Sequence, residues 1–117
     1  MPTIRDLVAA IRQRDGIAAA VVLGRDGLLI DSQADAQVDA EQVAAHVPSI
    51  LQYSEELAQA AAQGEVRTVV LESAEGATVM CTMSADVVLL VLTTPNADLG
   101  ALLFDLRRHR ANLAALV

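Results

Sequence analysis

The chain has 117 residues, a length that suits one hydrophobic core, and 54% of its residues are hydrophobic. Its formal net charge is −7 at pH 7, and it contains one Phe, one Tyr and no Trp. An acidic chain is repelled by phosphate backbones and by anionic lipid surfaces, and this one has almost no aromatic rings to stack on bases. We therefore expect no nucleic acid and no membrane among its partners.

Cysteine usage and hydropathy predict a cytoplasmic protein. The only cysteine, Cys81, allows no intramolecular disulfide, which fits a reducing compartment. The first 15 residues carry several charges and do not have the apolar centre of a signal peptide. No apolar run approaches the roughly 20 residues that a membrane-spanning helix needs.

The N-terminal third predicts a helix followed by a β-hairpin. Apolar residues spaced by 3, 4 and 7 follow Thr3, a helix cap with Asp6 three residues on. The apolar run Ile17–Leu23 is typical of a strand that is covered on both faces. Asp26-Gly27 supplies the positive φ angles of a tight turn, and Leu28–Ser32 is the returning strand.

A long amphipathic helix is predicted over Asp39–Gln63. Asp39 is its expected cap and Gly64 its end. Pro48 lies inside this span and must either kink the helix or mark a break, because proline lacks a backbone donor and clashes with the preceding turn.

Three strands and a closing helix are predicted in the remaining half. The strands are Val66–Ser73, Ala77–Met83 and Val87–Thr93; the first alternates as an edge strand does, and the last is apolar on both faces. Leu-rich spacing predicts a helix from Leu99 to Leu116, in which Gly100 is explained by close packing of the helix against the sheet. The order α-β-β-α-β-β-β-α indicates a single α/β domain over residues 1–117, a sandwich with a mainly antiparallel five-stranded sheet.

The sequence shows no constellation of catalytic or metal-binding residues. His46 and His109 lie on different predicted helices without partners at metal-ligand spacing, and Cys81 in mid-strand is typical of a core residue. Glu55 and Asp105 are interpreted as solvated helix positions. The six glycines are too dispersed for a phosphate loop, so no cofactor, no metal and no enzymatic activity are expected.

Several segments, taken together and in order, resemble the Roadblock family. They are the opening hairpin (16–22 and 26–32), the Ala-rich helix 41–63, and Asn96–Gly100 before a Leu-rich helix. The resemblance covers the chain from Thr3 to Leu116 and implies a roadblock/profilin-like fold. This family includes the roadblock-type light chains of dynein and bacterial relatives such as MglB, a co-regulator of a small Ras-like GTPase.

The resemblance implies a homodimer in which the long helices pack together and the third strands pair edge to edge. It also implies a small Ras-like GTPase as a partner, with Arg25 and Arg67 placed to reach it. The expected dimer-interface residues come from the helix and the third strand: Val43, Val47, Ile50, Leu51, Leu57, Val66, Thr68, Val69 and Val70.

Three functions follow from these observations. The first is a non-catalytic homodimer that binds a small Ras-like GTPase and modulates its nucleotide cycle. The second is a GTPase-independent scaffold, or a light-chain-like subunit of a motor or sensor-kinase complex. The third is a small-molecule sensor or enzyme, which requires an enclosed pocket with convergent polar groups. The sequence leaves open whether two or four copies assemble.

Overall fold

The chain folds into a five-stranded antiparallel sheet with helices on both faces. The structure, a computed structural model, describes residues 2–116. The strands lie in the order β2-β1-β5-β4-β3. The helices are α1 (Ile4–Arg12), α2 (Ala40–Ala45), α3 (Val47–Ala60), α4 (Leu99–Arg108) and α5 (Arg110–Ala114). The strands are β1 (Ile17–Gly24), β2 (Leu29–Ala34), β3 (Thr68–Ser73), β4 (Gly76–Thr82) and β5 (Val87–Thr93).

The predicted α/β class, element order and antiparallel sheet are confirmed. The two apolar runs, β1 and β5, pair with each other in the middle of the sheet, as their sequences indicate. β3 lies at one edge, which agrees with its partial alternation.

Local signals determine the start of the chain as predicted. The Thr3 side chain accepts a hydrogen bond from the Asp6 backbone while the Asp6 carboxylate accepts one from the Thr3 backbone, which forms a complete capping box. Gly27 has a φ of +89° in the turn between β1 and β2, as expected, whereas Asp26 does not have the positive φ that was expected of the pair.

Pro48 marks a break, one of the two alternatives expected for it, so two helices rather than one continuous helix occupy the span predicted over Asp39–Gln63. α2 ends at Ala45 with His46 as its C-cap, and α3 begins at Val47 with the proline in its first turn. A proline is tolerated there because the first N–H groups of a helix have no partner within it.

Three further details of the second half differ from prediction. β3 begins at Thr68 rather than at position 66, so Arg67 precedes the strand instead of lying on it. The closing helix is interrupted at His109, which separates α4 from α5. Gly100 is exposed, and a Cβ there would meet only an Asp98 oxygen at 3.6 Å. Close packing against the sheet therefore does not explain this glycine.

Two hydrophobic cores lie on opposite faces of the sheet. The first core, on what we call the α4 side, joins the sheet to α1, α4 and α5 and includes Val8 and Leu102. The second, on the α3 side, joins the sheet to α2 and α3 and includes Ala44 and Leu51. Alternate residues of β4 and β5 enter different cores, and β3 pairs with β4 without a register shift, which fixes the side of the sheet on which each residue of β3 lies.

Candidate protein-interaction surface

The two edges of the sheet differ in cover and polarity. β2 is polar from Asp31 to Gln33, and the neighbouring Asp35 forms an ion pair with Arg12 of α1. β3 instead carries the sequence Thr-Val-Val-Leu-Glu-Ser and is exposed over its last four residues. An exposed apolar edge strand is a ready site for pairing with another chain. The β3 edge is therefore the candidate interaction surface.

Every second backbone unit of β3 is free to pair. Thr82 N donates to Arg67 O at 3.0 Å across the β3–β4 pair, and the register runs without a shift along β3. In an antiparallel pair, residues that exchange hydrogen bonds alternate with residues whose N–H and C=O groups point away. The backbone groups of Thr68, Val70 and Glu72 therefore point to the open side of the sheet.

Apolar side chains are exposed on both faces of the β3 edge. Val70 lies opposite Val79, a member of the first core, so its side chain is on the α4 side, where it is 36% exposed. Val69 and Leu71 alternate to the α3 side, and Leu71 is 44% exposed. A partner strand would cover apolar surface on both faces at once.

The predicted helical interface residues divide into two groups. Val47 and Leu51 are buried in the second core, so both side chains already contact this chain's own sheet and offer no free surface. Val43 and Ile50 are partly buried against the same core, whereas Leu57 is 71% exposed. The contact of these residues, and of the half-buried Val66, with a second copy stays a prediction.

α3 carries a second apolar stripe, and the sequence interpretation missed one of its members, Tyr53. Ile50, Tyr53 and Leu57 are spaced by three and four residues, so they lie along one line of the helix. Tyr53 is 69% exposed, and it was not singled out because it was considered only as a rare aromatic. The spacing itself was the signal that would have found it. This stripe flanks the buried Val47–Leu51 line.

Arg25 does not project freely from the first hairpin. Its guanidinium forms an ion pair with Glu55 of α3, and its Nε is buried without a hydrogen-bond partner among residues 2–116. Glu55, interpreted as a solvated position, is thus half of a contact that ties the β1–β2 turn to α3. Arg67 remains available, since its side chain is 70% exposed with Glu65 at 4.0 Å.

The two ends of β3 carry opposite charges. Arg67 precedes the strand with Glu65 at 4.0 Å, and Arg107 of α4 adds a second positive charge at this end, whereas Glu72 and Glu75 are exposed at the other end. An open cleft of about 610 Å³ lies beside the start of β3, where Arg107 of α4 and Thr68 both line it. Within the described range 2–116, neither Arg107 nor Glu72 takes part in an ion pair.

Burial and ion pairing shift the pKa values of two side chains, Cys81 and Asp105. Cys81 is buried, and this burial raises the pKa of its thiol, while the Thr68 hydrogen bond and the charges of Arg110 and Arg107 oppose the rise. Asp105 was expected to be a solvated position, but it accepts a hydrogen bond from Arg14 at 2.6 Å. This contact lowers the pKa of its carboxyl group.

His46 and His109 are both exposed, as expected of helix-surface residues. No cluster of three or more His, Cys, Asp or Glu side chains that could bind a metal occurs among residues 2–116. In the same span, no helix has the length and apolarity needed to cross a membrane.

A family comparison identifies the fold. The model of the Roadblock/LC7 domain matches residues 3–93 of this chain. The chain belongs to the Roadblock/LC7 family. An uncharacterized protein of Methanocaldococcus jannaschii, MJ1340, is similar at 29% identity over 106 residues, which is 91% of this chain and 92% of that protein.

Solved roadblock structures match nearly the whole chain. A Roadblock/LC7 domain from Streptomyces avermitilis has a TM-score of 0.84 at 22% identity and covers 97% of both chains. The gliding protein MglB from Thermus thermophilus has a TM-score of 0.83 at 14% identity, over 96% of this chain and 86% of that one. An MglB with a tetrameric arrangement has a TM-score of 0.83 at 15% identity, over 96% of this chain and 85% of that one. At these identities the likeness shows the fold, and family membership supports a regulatory or scaffolding role.

Proposed function

We propose that this protein is a cytoplasmic, non-catalytic homodimer that binds a small Ras-like GTPase and modulates its nucleotide cycle. The observation that carries the dimer is the open β3 edge, which combines unpaired backbone groups with exposed Val70 and Leu71. The observation that carries the GTPase is membership of a family whose fold this chain shares with MglB proteins.

Pairing of β3 with a second copy gives hydrogen-bond partners to the free backbone groups of this edge and creates no further exposed edge strand. A two-fold axis makes the interface isologous, so the two strands run antiparallel and each copy contributes the same residues. The pairing would join two five-stranded sheets into one continuous sheet, and the apolar edge would no longer be open to aggregation.

The α3 layer would adjoin this interface on one face of the joined sheet. Leu71 lies on the α3 side of β3, and in the stripe Ile50–Tyr53–Leu57 the last two side chains are exposed while Ile50 is partly buried against the second core. Apolar stripes beyond the chain's own core are typical of protein–protein contacts. We therefore assign this stripe to a contact with the second copy or with the GTPase. Val47 and Leu51, which were expected in the dimer interface, belong instead to the second core.

In this proposal the GTPase supplies its own catalytic groups. The roadblock family is generally non-catalytic; of the two arginines expected to reach the GTPase, Arg25 is engaged in an ion pair with Glu55, and Arg67 is exposed beside β3 with Glu65 at 4.0 Å. Regulation would then act by stabilising one conformation of the GTPase over another, which requires different affinities for its two nucleotide states.

The dimer is tested by light scattering on the wild type and two matched variants. We expect a mass near twice 12.3 kDa, or four times that value if dimers pair further. Val70→Asp should give the monomer mass, because a charge on the β3 edge opposes strand pairing. Leu28→Asp, the same kind of change at an apolar position just before β2 on the opposite side of the sheet, where the side chain is 70% exposed, should remain dimeric. A dimeric Val70→Asp would contradict the assigned edge.

The GTPase is tested by calorimetry with the Ras-like GTPase encoded nearest to this protein, loaded with GDP or with a GTP analogue. Tighter binding to one form, and altered hydrolysis or exchange, would support the proposal. Arg67→Glu should weaken binding, whereas Arg5→Glu, which makes the same charge change on α1, should not. Absence of binding to either form, with both proteins folded, would move the function to a GTPase-independent scaffold.

A further inference from the structure

The backbone of β3 limits how two copies can pair. Hydrogen-bonded pairs across the new interface must join residues whose N–H and C=O groups point outward, namely Thr68, Val70 and Glu72. In a two-fold antiparallel pair with near-complete overlap of the strands, the axis must then pass beside Val69, Val70 or Leu71.

The side chains distinguish these three registers. With the axis at Val70, this residue faces itself and Val69 faces Leu71, so every apolar residue of the edge meets another apolar residue. With the axis at Leu71, Val70 would face Glu72. With the axis at Val69, Leu71 would face Arg67. Directly opposed side chains interact most strongly in a sheet, so the register centred on Val70 is favoured.

This register brings Glu72 of the second copy opposite Thr68. Both residues belong to the hydrogen-bonded pairs, in which opposite Cα atoms are about 5.5 Å apart. Both side chains lie on the α4 side, because Thr68 faces Cys81 of the first core and Glu72 is four residues further along the strand. Thr68 lines the cleft beside Arg107, so the carboxylate would be delivered into this cleft.

Arg107 is the arginine of this cleft that has no ion-pair partner among residues 2–116, whereas Arg67, which also lines the cleft, already has Glu65 at 4.0 Å. Arg110 already donates to the Thr82 hydroxyl at 2.8 Å and lies near the Arg67 carbonyl. Arg108 stacks over the Phe104 ring at 5.7 Å. Arg107 is exposed, and within residues 2–116 it makes no ion pair that would have to be broken.

We infer that, in the homodimer, Glu72 of each copy enters the cleft of the other copy and forms an ion pair with Arg107. The inference rests on the proposed pairing of β3. It names the second copy as the occupant of the cleft because the acidic end of β3 meets the basic end only when the strand pairs antiparallel with itself. Two chains of charge −7 repel each other at long range. The two symmetry-related Glu72–Arg107 pairs are local attractions that oppose this repulsion, and they form only in the register centred on Val70.

The test is a charge exchange, read as the dimer dissociation constant from sedimentation at several dilutions. Arg107→Glu and Glu72→Arg should each weaken the dimer about tenfold at low salt, and the double variant should recover most of the loss. Salt should reduce all three differences, because the pair lies at a solvated rim. Arg108→Glu, the same change one residue away, should leave the dimer nearly unaffected.

The outcomes separate this inference from the proposed function. If Val70→Asp dissociates the dimer but both charge variants keep the wild-type constant, the strand pairing holds and the ion pair is wrong. If both single variants weaken the dimer and the double variant shows no recovery, the ion pair is also wrong. If Val70→Asp does not dissociate the dimer, the strand pairing fails and the inference fails with it. Circular dichroism confirms that each variant is folded.

Discussion

Leu51 and Leu57 provide a direct test of which side of α3 faces this chain's own core. Leu51 is 3% exposed in the second core, and Leu57 is 71% exposed. Leu51→Ala removes three carbon atoms, worth about 2.4 kcal/mol of transfer free energy, and the cavity left behind raises the cost to roughly 3 kcal/mol or more. For a domain of this size, that corresponds to a melting temperature lowered by about 10–15 °C.

Leu57→Ala is the matched control. Extrapolated to high dilution, where self-association no longer contributes, it should change the free energy of unfolding by less than about 0.5 kcal/mol. Urea unfolding at several protein concentrations separates the two effects, because association makes apparent stability depend on concentration. A loss below about 1 kcal/mol for Leu51→Ala, or a larger loss for Leu57→Ala at high dilution, would refute the assignment of the buried line.

Three further predictions concern backbone, pH and thiol reactivity. Gly76→Ala should lower the free energy of unfolding by more than about 3 kcal/mol, because the new Cβ would collide with a backbone carbonyl of β5. Gly64→Ala is the control: its φ is +81° but the space around it is open, so the same urea assay should show a loss of about 1 kcal/mol. The Arg14 contact lowers the folded-state pKa of Asp105, so it stabilises the fold above about pH 4 and this stabilisation is lost on acidification. The melting temperature of Arg14→Ala should therefore fall less between about pH 5 and pH 3 than that of the wild type, and an equal fall would contradict the pair. The Cys81 thiol should react with an aromatic disulfide reagent at pH 8 far more slowly in the folded chain than in urea, because burial both shields it and raises its pKa; equal rates would place it outside the core.

The elements that were predicted well are those determined by local chemistry. The capping box at Thr3 and the Asp-Gly turn at Gly27 depend on residues within a few positions of each other, and both occur as expected. The apolar runs that became β1 and β5 have no polar face, so they were placed correctly at the centre of the sheet.

Contacts between distant elements were beyond the reach of sequence patterns. Leu51 and Leu57 were both expected in the dimer interface, but six residues turn the helix about 240°, so the two side chains point some 120° apart. Only the position of the sheet decides which of them is buried. Likewise, the sequence offers no sign that Arg25 pairs with Glu55, since 30 residues separate them. The cleft beside Arg107 also depends on how α4 lies against the start of β3.

Pairing of two copies through β3 is tested most directly by single-cysteine cross-linking under oxidising conditions. Val70→Cys should form a disulfide-linked dimer, because Val70 faces itself with Cα atoms about 5.5 Å apart, within the range that a disulfide spans. Val69→Cys and Leu71→Cys place like residues further apart than a disulfide allows and should cross-link poorly, as should the wild type with its buried Cys81. Efficient cross-linking of Val70→Cys alone is the predicted result. Cross-linking of none of the three, in a protein that is dimeric by mass, would show that the copies meet elsewhere.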